Sequence, residues 1–240
     1  MTSFVETPDL AHPDKKTIQN FFDSIPDRYD FLNSFMSFGL DLYWRRQTVK
    51  FAMNGLERRI LDLGVGTGKS LACFLKGHRF NLAVGCDFSI NMMRKAKSRV
   101  GGNSDFVACD FHELPFVSES FELITGSFML RSVQEMRKFL SEIKRVLAAD
   151  GKVVFLELTR PKNKLFWNCV YQPYLKYYVP TIGRIFSRHK NAYEFLSQSV
   201  QSFIEPDHLA GEFRSAGFSE VTLHPITFGA VTVIQARDKR

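Results

Sequence analysis

Between residues 60 and 70 the chain reads Ile60-Leu61-Asp62-Leu63-Gly64-Val65-Gly66-Thr67-Gly68-Lys69-Ser70, an apolar strand running into a turn with glycine at alternate positions. Three ligand classes use glycine-rich turns between a strand and a helix, and spacing separates them. A dinucleotide turn, GxGxxG, needs its third glycine at residue 69, where Lys69 stands. A phosphate-binding GxxxxGK[ST] loop needs its first glycine at residue 63, where Leu63 stands. The pattern DxGxGxG fits without a gap: Asp62, Gly64, Gly66, Gly68. It suits a ligand with no phosphates to cradle but with an amino-acid tail and a sulfonium, S-adenosylmethionine. Glycines there let the backbone approach closely, because a Cβ would collide with the ligand. Asp62, at the strand end, can attract the ligand's ammonium directly or through water.

Further groups fall at the ends of later strands. Asp87 closes the second strand, 19 residues after Gly68. A carboxylate there can accept hydrogen bonds from both ribose hydroxyls, a rule that serves nucleosides generally. Asp110 can accept from the adenine amino group and Phe111 can pack against the ring. Ser127, in Thr125-Gly126-Ser127-Phe128, would line the methyl end. Ligands of open parallel sheets bind outside the carboxyl ends of the strands, where all of these groups lie.

The elements that must position them alternate. Strands are expected at Arg59–Gly64, Phe80–Asp87, Ser104–Asp110, Phe121–Ser127 and Lys152–Leu158. Helices are expected at Lys69–Lys76, Ser89–Val100 with Ser89 as N-cap, and Gln134–Leu147. In the last, Met136, Phe139, Leu140, Ile143, Val146 and Leu147 recur on one face. Asp150-Gly151 reads as the turn before the fifth strand. Pro206–Ala216 reads as a helix, and Val221–Ile226 with Ala230–Ala236 as an antiparallel hairpin. The expected fold is α/β: a Rossmann-like, mostly parallel seven-stranded sheet with an antiparallel C-terminal hairpin. Residues 1–50 read as a tail and helical cap, the aromatic stretch Asp14–Trp44 supplying short helices. Residues 51–240 form the catalytic domain, interrupted by an insertion at 160–204.

Composition narrows the partners. The four cysteines form no CxxC pair and the six histidines no HExxH or HxxxH spacing, so neither a disulfide framework nor a metal site is expected. No apolar stretch is long enough to span a bilayer. Residues 1–16 lack the patterns of signal and transit peptides, so the cytosol is the expected compartment. The net charge of +7 points to an anionic partner. From Arg160 through Lys190 there is no acidic residue, and Lys and Arg alternate with Phe166, Trp167, Tyr171, Tyr174, Tyr177, Tyr178 and Phe186. Such interleaving suits an anionic membrane interface. It also suits RNA stacking, but no RNA-binding module or base-flipping signature accompanies it and no nucleic acid is expected.

FFDSIPDRYDFLNSFMSFGLDLYWRR (21–46), ILDLGVGTGKS (60–70) and YVPTIGRIFSRHKNAYEFLSQSVQSF (178–203) together resemble the UbiE/MenG-type C-methyltransferases of ubiquinone and menaquinone biosynthesis. The first and last segments are the specific ones. The resemblance implies that Thr67, Asp87, Asp110, Phe111 and Ser127 contact S-adenosylmethionine. It implies methylation of a ring carbon of a lipid quinol: demethylmenaquinol to menaquinol or, alternatively, 2-methoxy-6-polyprenyl-1,4-benzoquinol. Other readings are a different lipid or small molecule, RNA, or a catalytically silent cofactor-binding homologue. A polyprenylated acceptor implies peripheral docking at the inner face of the cytoplasmic membrane. Two motifs depart from the family: FGLRN after Ser127 reads Phe128-Met129-Leu130-Arg131-Ser132, and YLPES reads Phe195-Leu196-Ser197-Gln198-Ser199. A bulky Met129 is expected to narrow the acceptor pocket.

Carbon methylation needs electron density pushed onto the ring by weakening a phenolic proton. Arg131 is the expected catalytic residue. A guanidinium stays protonated, so it stabilises a phenolate or orients a water rather than acting as base. Glu135, at i+4, is its expected partner if Arg131 is merely structural. His112 is an alternative base or a surface-loop residue. Tyr29 and Asp27 can reach the site from the cap, Asp27 equally as a helix-capping residue.

Overall fold

In the computed structural model residues 26–186 and 205–238 are described. The tail at 1–13, the cap motif at 195–199 and the basic residues Arg188 and Lys190 lie outside them. So do the side chains of Asp27, Arg184 and Phe186. Seven strands form one sheet in the order β3-β2-β1-β4-β5-β7-β6. They are β1 Arg59–Leu63, β2 Leu82–Asp87, β3 Asp105–Ala108, β4 Phe121–Ser127, β5 Leu147–Leu158, β6 Glu220–Ile226 and β7 Val231–Arg237. β1 to β5 pair in parallel, while β7 runs antiparallel to β5 and β6. The strand order reverses between β1 and β4, the switch point where such sheets open a ligand crevice.

The helices cover both faces. α1 (Pro26–Met36) and α2 (Leu40–Ala52) precede the sheet, and α3 (Lys69–Leu75), α4 (Ile90–Val100) and α5 (Met136–Val146) connect strands. Ser89 caps α4, its Oγ accepting the Met92 N–H at 3.2 Å. The apolar face of α5 buries Phe139, Leu140, Ile143 and Val146 against β4 and β5. The last helix, α7 (Pro206–Ser215), packs Leu209 and Phe213 into the same core. On the opposite face α2 sets Trp44 and Ala52 against Ile60, Val154, Leu156 and Val233. The division drawn at residue 50 falls inside this helix.

Two segments differ from expectation. β5 begins at Leu147 rather than Lys152, because Leu147 already pairs with Phe121. The register then shifts, with Asp150 at φ 58°, so the expected Asp150-Gly151 turn is an irregularity inside a strand. Residues 164–186 form one helical run, α6. Its ends, Lys164–Phe166 and Val179–Phe186, are α-helical, and Trp167–Tyr171 and Tyr174–Tyr178 are π-helical. Pro173 and Pro180 lie just past the two widened turns, and each lacks the N–H an α-helix would use.

Candidate functional site

The residues of the glycine turn have separate tasks. Gly64 (φ +62°) is required by packing: a Cβ there would lie 2.9 Å from Cβ of Met129. Gly68 (φ +78°) is required by α4, since its Cβ would lie 2.9 Å from the Ala96 Cα. Only at Gly66 (φ +53°) is the space open, with nothing nearer to a Cβ than the Gly64 carbonyl oxygen at 3.9 Å. Gly64 and Gly68 thus answer internal packing as well, and Gly66 faces open space.

Asp62 is fully buried and neither carboxylate oxygen has a hydrogen-bond partner. Burial lifts its pKa to about 7; Arg45 opposes the shift and Asp87 adds to it. An unpaired buried carboxylate is costly unless a ligand satisfies it, and an ammonium does. The bare carboxylate and the open space at Gly66 fit the amino-acid end of S-adenosylmethionine.

Asp87 is positioned as expected, at the end of β2. Its Oδ2 accepts the Gly66 N–H at 2.8 Å and its Oδ1 the Ser89 N–H at 2.9 Å, which locks the turn to the second strand. Thr67 is engaged with the cap. Its hydroxyl donates to Asp30 Oδ1 at 2.7 Å and accepts from Arg99 at 2.8 Å. Lys69 adds bonds to Ser34 at 2.8 Å and Asp41 at 2.9 Å, so α1 and α2 are fastened over the turn. Phe111 packs in the core beside Met129. Ser127 Oγ lies 2.7 Å from Ser70 Oγ.

His112 is neither a surface residue nor a free base. It is 6% exposed, its Nδ1 lies 2.7 Å from Asp110 Oδ1, and its Nε2 accepts the Glu135 N–H at 3.3 Å. With Nε2 accepting, Nδ1 carries the proton and orients Asp110, whose side chain remains 44% exposed.

Arg131 pairs not with Glu135 but with Glu157, a carboxylate no sequence argument singled out. Glu157 is fully buried at the end of β5 and also accepts the Leu130 N–H at 2.9 Å and the Leu158 N–H at 3.0 Å. Burial raises its pKa, with Arg131 opposing. Its signal was present as the one charge between apolar neighbours in Val153-Val154-Phe155-Leu156-Glu157-Leu158.

Arg131 lines a cavity of about 220 Å³ whose walls are mainly apolar. One side comes from α1 and α2, including Tyr29, Met36 and Trp44; the other comes from α6, including Tyr171, Tyr174 and Leu175. The Tyr174 hydroxyl donates to the Met36 carbonyl at 2.7 Å and the Tyr171 hydroxyl to the Ala230 carbonyl at 3.2 Å, which closes the walls together. Loss of water contact raises the Tyr29 hydroxyl, with Arg131 and Arg45 opposing. Met129 does not narrow this cavity as expected: it is 6% exposed in the core below Gly64.

The ubiE/COQ5 methyltransferase family model matches residues 11–237. The demethylmenaquinone methyltransferase of Thermotoga maritima is 37% identical over 220 residues, covering 91% of this chain and 95% of that protein. The ubiquinone/menaquinone biosynthesis C-methyltransferase UbiE of Desulfotalea psychrophila is 35% identical over 217 residues, covering 90% of this chain and 88% of its own. Among solved structures, an S-adenosylmethionine-dependent methyltransferase of Thermotoga maritima superposes with a TM-score of 0.65 at 20% identity, covering 93% of this chain and all of that one.

Proposed function

This chain belongs to the ubiE/COQ5 methyltransferase family, and we propose that it methylates a ring carbon of a polyprenylated quinol, converting demethylmenaquinol to menaquinol. It is an S-adenosylmethionine-dependent methyltransferase. The observation that carries the acceptor reading is the apolar cavity of about 220 Å³ with the guanidinium of Arg131 in its wall. Apolar walls with few polar groups suit a hydrophobic ring, and Arg131, held by Glu157, marks where its oxygen would sit.

The cofactor, when bound, supplies an electrophilic methyl group. Asp62 would receive its ammonium, Asp87 its ribose hydroxyls, Asp110 and Phe111 its adenine, and Ser127 would stand near its methyl end. Gly66 leaves room for it, while Gly64, Gly68 and Thr67 hold the turn in shape. The chain's own task is the acceptor. Arg131, oriented by Glu157, stabilises the phenolate oxygen and orients a water that takes the hydroxyl proton. The aromatic walls exclude bulk water and so strengthen this interaction. The ring carbon would gain the methyl as S-adenosylhomocysteine leaves, and its C–H proton would pass to water while the phenolate oxygen regains a proton, a net release of one proton.

The rim supports peripheral docking to an anionic membrane. Leu165, Val170, Tyr177 and Phe228 are exposed, with Lys164 and Lys176 among them. Trp167 and Tyr171 of the same stretch turn inward and are each 7% exposed. Among the described residues no helix is long and apolar enough to cross a membrane. The inner face of the cytoplasmic membrane is the proposed place of work.

A labelled-methyl assay with demethylmenaquinol and 2-methoxy-6-polyprenyl-1,4-benzoquinol in parallel tests the reading. Transfer to the naphthoquinol is the expected result; transfer to neither quinol overturns it.

A further inference from the structure

Arg45 has no task in the reaction as described. It projects from α2, and its Nη1 donates to Ser70 Oγ. Its guanidinium carbon lies 5.2 Å from the Phe128 ring centroid. Ser70 in turn shares its 2.7 Å hydrogen bond with Ser127, the last residue of β4. The side chain thus reaches from the cap to the carboxyl ends of the central strands. There β4 lies beside β1, with Thr125 paired to Asp62.

Four buried side-chain atoms lack a hydrogen-bond partner among the described residues: Arg45 Nε, both carboxylate oxygens of Asp62, and Ser104 Oγ. Three of the four belong to one cation and one anion at the same end of the same strands. These two do not bond each other. Other buried charges among the described residues are paired, such as Arg131 with Glu157 and Lys152 with Glu57, or accept backbone N–H groups, as Asp87 does. Opposite charges left open at the same strand ends match a zwitterion, whose ammonium and carboxylate satisfy both at once.

We propose that Arg45 binds the carboxylate of the cofactor's amino-acid tail, opposite the Asp62 that receives its ammonium. This rests on the assignment of S-adenosylmethionine to the glycine turn and deepens it. The carboxylate clamp belongs to the cap helix, not to the sheet. Arg45 also lines the acceptor cavity together with Trp44 and Phe128 of its surroundings. Seating the cofactor's tail therefore fixes the helix that forms one wall for the acceptor.

The test is calorimetric titration of the whole chain and of Arg45→Gln with three ligands. These are S-adenosylhomocysteine, decarboxylated S-adenosylmethionine, which lacks only the carboxylate, and 5′-methylthioadenosine, which lacks the whole amino-acid group. Arg45→Gln is expected to weaken S-adenosylhomocysteine about thirtyfold or more, the order seen when one partner of a buried charge pair is truncated. The other two ligands should change less than about threefold, and Arg45→Lys should restore part of the loss for S-adenosylhomocysteine alone. Equal weakening of all three ligands overturns the proposal, because Arg45 then only supports the shape of the site. Unchanged S-adenosylhomocysteine affinity with a raised KM for the quinol also overturns it and assigns Arg45 to the acceptor. If Arg45→Gln does not fold, Arg45→Lys carries the test, since selective weakening of S-adenosylhomocysteine is expected there too and uniform affinity is not. No saturable binding of S-adenosylhomocysteine by the unsubstituted chain overturns the cofactor assignment itself.

Discussion

At the carboxyl ends of β1 and β2 the backbone sets the geometry: a turn of positive-φ glycines, a locked Asp87, and a bare carboxylate at Asp62. The acceptor cavity a short way off is set by side chains, with tyrosines of α6 reaching backbone carbonyls of α1 and the β6–β7 connection. In the first region Gly64 and Gly68 answer steric demands and Asp62 and Asp87 carry buried charge. The second depends on size and aromatic character, with the Arg131–Glu157 pair fixed in its wall. The first reads as suited to a single ligand, the second as a mould for a class of them.

The sharpest break between the two comes from Arg131→Ala. It should lower kcat by about 10²–10³-fold, the range for losing one donor to a developing oxyanion, while S-adenosylhomocysteine affinity stays nearly intact. A turnover loss under about tenfold, roughly 1.4 kcal/mol of barrier, would remove Arg131 from its role. Glu157→Gln should lower kcat less, because the guanidinium keeps its charge but loses its orienting carboxylate.

Asp62 carries the next largest effect, and it is pH-dependent. Burial raises its folded pKa to about 7, above the unfolded value. A raised carboxylate favours the protonated folded chain. Its contribution is therefore complete below the unfolded value, near 4, and is lost as pH rises from there through about 7. The cofactor's ammonium favours the ionised form, so binding below about pH 7 must expel a proton. Affinity for S-adenosylhomocysteine should fall by up to about tenfold per pH unit below that point, with proton release visible in buffers of different ionisation enthalpy. Asp62→Asn should weaken binding and flatten the profile; an unaltered profile would show that another group titrates.

These regions also differ in how legible they were. Spacing alone excluded the dinucleotide and phosphate turns, and Asp62, Asp87 and Ser127 stand at strand ends as read, because short-range backbone demands leave their mark in local sequence. What was missed arises from contacts distant in the chain. Glu157 and Arg131 are 26 residues apart, and Thr67 meets Asp30 across 37. Met129 was assigned to the acceptor side because the resemblance gave its neighbour and not its direction. The aromatic stretch of α6 was read as one membrane-resting cap, and its sequence did not separate the buried Trp167 and Tyr171 from the exposed Tyr177. His112 was hidden because a loop histidine bonded to its own loop carboxylate has no periodic signature.

Within the turn, the glycines divide the comparison more finely. Gly68→Ala forces a Cβ against the Ala96 backbone and should cost about 2–4 kcal/mol of stability from overpacking and left-handed strain together. Gly66→Ala meets open space and should cost about 1–2 kcal/mol, from strain alone, while weakening S-adenosylhomocysteine binding. Chemical denaturation paired with titration separates them. If Gly66→Ala binds normally, the open space at Gly66 is not where the ligand lies.

The smallest effects belong to the rim, and their pattern matters more than their size. A lysine near an anionic bilayer contributes about 1 kcal/mol, or roughly fivefold in partitioning. Lys164 and Lys176 are exposed, and each should show about that loss on substitution by Ala in sedimentation with anionic vesicles. Lys162 is equally exposed but bonded to Asp207 at 2.6 Å, so its charge is already half answered. Lys162→Ala should therefore change partitioning less than the other two. Salt should erode the lysine contributions, because screening acts over about 8 Å at physiological ionic strength. The apolar contribution of Leu165 and Phe228 should persist. Equal losses at all three lysines would mean that total charge, rather than this face, draws the protein to the membrane.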